Sequence, residues 1–171
     1  ASYRRQRQMC IRDRSLAEDY PNSKFVIDVK STGLYLNSTI LKNKNCEIDM
    51  WKTGHSYMKR RVKEINALCG FEKSGHFFIN QPLGLGFDDG LKSACLMINY
   101  LQKNLPLKLS EIRTKIPQTY QSPTMAPFCK DEEKYEVVDD LIDKIQKIQK
   151  NDQTFAKLKI KSINTINGIR F

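Results

Sequence analysis

Hydrophobic positions along this chain fall into two textures: short continuous apolar runs, and longer stretches in which apolar residues recur every three or four positions. Lys24-Phe25-Val26-Ile27-Asp28-Val29 is the first run, β-branched and apolar, and predicts a strand buried on both faces. Cys46 to Trp51 predicts a second strand, and Leu34, Leu36, Ile40 and Leu41 predict an intervening helix over Leu34 to Lys44. Strand, helix and strand in that order imply a parallel βαβ unit. Ser56 is placed to cap a helix over Tyr57 to Asn66, with Lys59, Arg60, Arg61 and Lys63 on its outer face. Ala67 to Phe71 and Phe77-Phe78-Ile79 predict two strands joined by a tight loop. Leu91, Ala94, Cys95, Ile98 and Leu101 fall at spacings of three and four and predict an amphipathic helix. A short helix is expected over Leu109 to Lys115.

The texture changes at Pro106, Pro117, Pro123 and Pro127, which places a domain boundary between Ile116 and Pro127. The expected division is an α/β domain over residues 15–116 and a partial α+β domain over 117–171. In the second, a helix from Asp131 to about Gln149 carries Val137, Val138, Leu141, Ile142, Ile145 and Ile148 on one face, and strands are expected at Leu158 to Ile166 and Ile169 to Phe171. Phe171 falls within a hairpin around Asn167-Gly168, so the sequence reads as a fragment with a truncated last domain. Residues 1–14 lack apolar periodicity, hold five of the nine arginines and no lysine, and over Gln6 to Arg14 resemble translated sequencing-adapter sequence. They are expected to be a non-native or disordered basic segment.

Charge changes this picture little. The net +10 invites nucleic acid, because clustered cations gain affinity through counterion release. Residues 1–14 supply +4 of it, however, and the other +6 is spread over lysines interleaved with acids, as in Lys130-Asp131-Glu132-Glu133-Lys134. The five cysteines, Cys10, Cys46, Cys69, Cys95 and Cys129, contain no Cys-x-x-Cys pair and read as reduced thiols, with Cys69 and Cys95 packing as small hydrophobes. No apolar run has the length of a membrane span and no segment resembles a signal peptide, so a cytoplasmic protein is expected, with no membrane or nucleic-acid partner.

Candidate chemistry gathers between Thr53 and Gly90. Both histidines lie there, within Thr53-Gly54-His55-Ser56, Glu72-Lys73-Ser74-Gly75-His76 and Gly86-Phe87-Asp88-Asp89-Gly90. Glycine at such turns lets a ligand approach the main chain, and a carboxylate beside a serine can hold two neighbouring hydroxyls, a combination suited to a sugar ring. Taken alone, His55 is a loop residue, Lys30 a surface lysine and Asp88-Asp89 a helix cap. A Ser74, His55 or His76, and Asp88 triad lacks the Gly-x-Ser-x-Gly elbow, and no His-x-x-x-His spacing supports a metal site.

In this order, together with Asp28-Val29-Lys30 upstream and Asn167-Gly168-Ile169-Arg170 at the end, these motifs resemble the sugar-recognition domain of the α-D-phosphohexomutases, bacterial phosphomannomutase/phosphoglucomutase branch. The resemblance covers roughly residues 20 to 171. It implies a mixed, mainly parallel α/β sheet with flanking helices, the third domain of that architecture, followed by a truncated α+β C-terminal domain.

What the resemblance implies for function is an isomerase that interconverts hexose 1-phosphate and 6-phosphate through a phosphoserine and a bisphosphorylated sugar. Glu72 and Ser74 would bind sugar hydroxyls, Lys30, Thr53, Gly54 and His55 would sit at the phosphosugar, and His76 would be the proton-accepting catalytic residue. The phosphoserine motif, the aspartate-rich loop that holds Mg2+ and the phosphate-gripping loop have no counterpart in this sequence. The cofactor would therefore belong to another domain, and the fragment alone is expected to be inactive. Its partners would be the hexose phosphate and the remaining domains of the enzyme. The alternative from another class is a non-enzymatic basic domain binding anions or nucleic acid.

Overall fold

The computed structural model describes residues 11, 13–31, 33–117 and 127–171. The expectations for residues 1–10, and for most of the proline-marked boundary, lie outside them. By their contacts the residues form two units, Ala1–Gln121 and Ser122–Phe171.

In the first unit, helix α1 (13–19) precedes β1 (Lys24–Asp28), α2 (Thr39–Asn43), β2 (Glu47–Trp51), α3 (His55–Glu64), β3 (Cys69–Phe71), β4 (Phe77–Ile79), β5 (Phe87–Asp88), α4 (Gly90–Lys103) and α5 (Leu109–Thr114). The strands form one sheet in the order β2-β1-β3-β4-β5. β1 pairs in parallel with β2 and β3, while β4 is antiparallel to both β3 and β5, so four of the five strands point the same way. The β1–β2 pair is the parallel βαβ unit read from the pattern, and the whole is the mixed, mainly parallel sheet that the resemblance implies.

The continuous apolar run of β1 follows from burial on both faces. Phe25 and Ile27 join one core with Cys69, Phe71, Phe77, Ile79, Tyr35 and Leu41. Val26, on the opposite face, packs with Phe78, Met58 and Val62 of α3. Gly70 in β3 makes that layer close: a Cβ there would stand 2.6 Å from Val62 Cγ2. Arg61 pins α3 to the edge strand, bonded to Asp49 at 2.7 Å and stacked 4.3 Å from the Trp51 ring centroid. The Asp49 hydrogen bond pushes the guanidinium above its ordinary value.

Several elements depart from the pattern for local reasons. Helix α2, expected over Leu34 to Lys44, contracts to five residues, because Gly33 to Asn37 turn and Ser38 caps it by accepting from Leu41 N at 3.4 Å. The next helix starts at His55 with Gly54 at its N-cap, so Ser56 is a first-turn residue and not the cap. Helix α4 turns Leu96, Met97, Tyr100 and Leu101 to the core. The predicted stripe is otherwise left outside, with Leu91 and Ile98 at 80% and 64% exposure and Cys95 exposed as well. A helix apolar on nearly every side gives periodicity no means of choosing the face. The packed unit also takes in Ile11 and Asp13, upstream of the Ser15 start set by the pattern; burial pushes the Asp13 carboxyl well above its usual range.

In the second unit, α6 (Lys134–Lys150) is followed by a hairpin of β6 (Thr154–Phe155) and β7 (Leu158–Lys159). Ile145 is buried, but Val137, Val138 and Leu141 of the predicted stripe are exposed. Of the strands expected at Leu158 to Ile166 and Ile169 to Phe171, the described residues keep only β7 at Leu158–Lys159 and a single bridge to Arg170. Ala156 and Lys157, both at positive φ, turn the chain early, and one bridge between Asn164 and Arg170 spans the Asn167-Gly168 turn. The Phe155 and Phe171 rings meet at 5.2 Å.

Candidate functional site

The strand register brings the carboxyl ends of β1, β2 and β3 to one edge, with Asp28 opposite Trp51 and Ile27 opposite Phe71. β4 begins and β5 ends at the same edge, Phe78 lying opposite Asp88. Leu41 of α2 and Met58 and Val62 of α3 fall in the two different cores, so the connections leave β1 and β2 toward opposite faces. In open α/β sheets the crevice at such a reversal is where ligands bind.

Asp28 is the last residue of β1 and is buried. Its Oδ1 accepts from the Ser31 hydroxyl and, at 3.3 Å, from Lys73 N–H; its Oδ2 accepts from the Thr53 hydroxyl at 3.4 Å. One carboxylate thus ties together the loops that follow β1, β2 and β3. Lys30 stands exposed in the turn between Asp28 and Ser31.

Glu72 is the second buried carboxylate, 3% exposed. Its Oε1 accepts from Gly54 N–H at 2.8 Å and its Oε2 from the Ser74 hydroxyl at 3.4 Å. The loop closes on itself through Gly75 N–H to Glu72 O at 2.8 Å and Glu72 N–H to His76 O at 3.1 Å. No side-chain cap comes from Gly54, so α3 receives its N-terminal anion from a loop 18 residues away. Gly54 takes φ +132°, where its missing Cβ would also press to 3.1 Å from the Tyr57 ring. A carboxylate has about four lone-pair positions, so two partners leave Glu72 capacity for hydroxyl donors.

His76 follows the loop. Its Nδ1 lies 2.6 Å from Asp88 Oδ2, while Asp88 Oδ1 accepts from Phe77 N–H at 2.9 Å. The His55 ring meets the His76 ring edge-on at 6.0 Å and the Phe78 ring at 4.9 Å. Contacts therefore join Thr53, Gly54, His55, Glu72, Ser74 and His76 around one sheet edge, and Lys30 stands at the first of its loops.

Two residues of this cluster carry more than the sequence reading gave them. Asp28 served there only as part of a motif, although a carboxylate ending a fully apolar strand is itself a signal of internal partners. The Asp88-Asp89 pair divides its labour: Asp89 caps α4, accepting from Lys92 N at 2.8 Å, whereas Asp88 turns to His76. Among the described residues no three His, Cys, Asp or Glu side chains converge as metal ligands.

Five strands that meet at one edge, with a glycine at the start of α3 and a buried carboxylate loop beside it, define the class: an α/β domain whose loops gather at the carboxyl ends of its parallel strands. A family profile described as phosphoglucomutase/phosphomannomutase, alpha/beta/alpha domain III matches residues 7–120, and the chain belongs to that family. It is 29% identical over 150 residues to a phosphomannomutase/phosphoglucomutase of Pseudomonas putida, an alignment covering 88% of this chain and 29% of that protein. A phosphoglucomutase of Neisseria meningitidis is 33% identical over 119 residues, 70% of this chain and 25% of that one. A solved structure of a phosphoglucomutase/phosphomannomutase family protein from Burkholderia thailandensis superposes with a TM-score of 0.70 at 26% identity, covering 98% of this chain and 32% of that one. The chain thus spans about a third or less of the length of each of these relatives.

Proposed function

We propose that this chain is the sugar-reading domain of a phosphohexomutase, an isomerase that interconverts hexose 1-phosphate and 6-phosphate through a phosphoserine and a bisphosphorylated sugar. The observation that carries the reading is the Glu72 loop locked onto the start of α3 by the Gly54 N–H at 2.8 Å, with both histidines beside it. In this role Glu72 and Ser74 accept and donate to sugar hydroxyls, and Thr53, Gly54, His55 and Lys30 border the phosphosugar. His76 accepts the proton of the attacking hydroxyl. Rotation of the Ser74 hydroxyl off Oε2 opens the carboxylate to the ring.

A mutase has to hold one sugar in two orientations. Contacts to hydroxyls that nearly superpose after the flip satisfy both, which suits a single carboxylate-serine pair. On this reading the phosphoserine and the Mg2+ belong to other domains of the same protein, which works in the cytoplasm; no described helix is long and apolar enough to cross a membrane.

The test is Glu72→Ala in a full-length enzyme. Turnover falls sharply while the fold survives: the Gly54 bond is worth about 2 kcal/mol and the longer Ser74 bond about 0.5 kcal/mol, a real loss but less than the roughly 5–15 kcal/mol that holds a domain folded. Turnover close to wild type would sink the assignment.

A further inference from the structure

The sheet edge holds a pairing that the sugar reading leaves unused. We propose that Asp88 is the positioning residue for His76: it fixes the imidazole as the tautomer whose bare nitrogen, Nε2, takes the substrate proton. The inference rests on the phosphohexomutase reading of His76.

The geometry is set by the strands. Phe78 lies opposite Asp88 in the β4–β5 pair, and side chains two apart on a strand share a face, so His76 and Asp88 are diagonal neighbours on one side of the sheet. Beyond that pair the ladder opens: Asp89 N–H donates to Phe77 O at 3.1 Å, while Phe77 N–H is taken by Asp88 Oδ1 at 2.9 Å. The carboxylate is therefore held through one oxygen by the backbone. Its other oxygen faces His76 Nδ1 at 2.6 Å.

A carboxylate oxygen only accepts, so Nδ1 is the donor and the neutral ring carries its lone pair on Nε2. A base needs that arrangement, with one nitrogen held and the other free. His55 meets the same ring edge-on at 6.0 Å. In the reaction, Nε2 takes the proton of the sugar hydroxyl while that oxygen bonds to phosphorus. The bond from phosphorus to the donor oxygen breaks, and its electron pair stays on that oxygen. In the reverse transfer the imidazolium returns the proton. Asp88 stabilises the imidazolium between the two steps and touches no reacting atom.

Asp88→Asn separates this role from a structural one. The amide oxygen still accepts from Phe77 N–H, so the strand end is kept, but the amide nitrogen now donates to Nδ1 and moves the ring proton to Nε2. The measurement is 15N NMR of the two histidine rings in the 171-residue chain near pH 8.5, with His55→Gln to assign them. Expected is a protonated Nδ1 for His76 in the wild type, a protonated Nε2 in Asp88→Asn, and recovery of the first state in Asp88→Glu. A wild-type ring protonated at Nε2, or a tautomer unmoved by Asp88→Asn, overturns the proposal. In a full-length enzyme the same exchange lowers kcat by about 10²–10⁴-fold with KM little changed, the range for loss of general base catalysis. An unchanged kcat overturns it too. Failure of the mutase reading looks different, since no turnover then exists to be lowered and the ring tautomer still reports on Asp88.

Discussion

Replacing Asp28 by alanine removes the one side chain that three loops of the site share. The loss is worked from its three bonds. The Ser31 hydroxyl makes the closest contact and is worth about 2 kcal/mol, while the Lys73 and Thr53 contacts, at 3.3 and 3.4 Å, are each worth about 0.5 kcal/mol. Asp28→Ala therefore costs roughly 3 kcal/mol. Asp28→Asn keeps one oxygen for Ser31 and Lys73 and presents its amide to Thr53, whose hydroxyl can accept; it costs about 1 kcal/mol. Urea unfolding followed by the fluorescence of Trp51, the sole tryptophan and the register partner of Asp28, measures both. With a slope of about 1–3 kcal/mol per molar urea, the alanine variant lowers the midpoint by roughly 1–3 M. An alanine variant within 0.5 kcal/mol of wild type, or an asparagine variant equally damaged, would refute the view that this carboxylate holds the loops.

Gly70→Ala pushes a methyl to 2.6 Å from Val62 Cγ2 and is expected to cost about 1–3 kcal/mol; Val62→Ala on top of it gives back part of the loss in a double-mutant cycle, and simple additivity contradicts the close packing. Cys69 is fully buried, and burial pushes its thiol above the ordinary 9.0. Above pH 9 the unfolded chain sheds this proton while the folded chain keeps it. The folded state then binds more protons, and stability falls with rising pH. Against Cys69→Ala, which lacks this group, the wild type loses its advantage by up to about 1.4 kcal/mol per pH unit above 9; a constant difference across that window counts against the burial. Cys69 also resists alkylation in the native state, where the exposed Cys95 and Cys129 react, as peptide mapping by mass spectrometry checks.

Much of the fold was legible because β1 and α3 carry one-sided or two-sided burial that their periodicity states directly. Val26 faces one core and Phe25 and Ile27 the other, and Met58 and Val62 stand one turn apart. Helix α4 was legible as a helix but not in its orientation. With Leu91, Ile98, Leu96 and Tyr100 on different sides, the choice of buried face is made by the sheet it lies on. The loops of the site were legible as motifs, since glycine and short polar residues mark them. Their internal wiring was not. That Glu72 caps α3, or that Asp88 and not Asp89 reaches His76, depends on which strand ends share an edge, and no local pattern carries that register.

The most direct test of the central claim is an NMR titration of the chain with mannose 1-phosphate, following the Glu72–His76 loop and both histidines, with inorganic phosphate and a short DNA duplex as controls. The account predicts shifts at Gly54, Ser74, His55 and His76 that the sugar phosphate produces and phosphate alone does not, even at millimolar affinity. Equal shifts with every anion, declining together as salt is raised, would contradict it and leave a basic domain with no preference for a sugar.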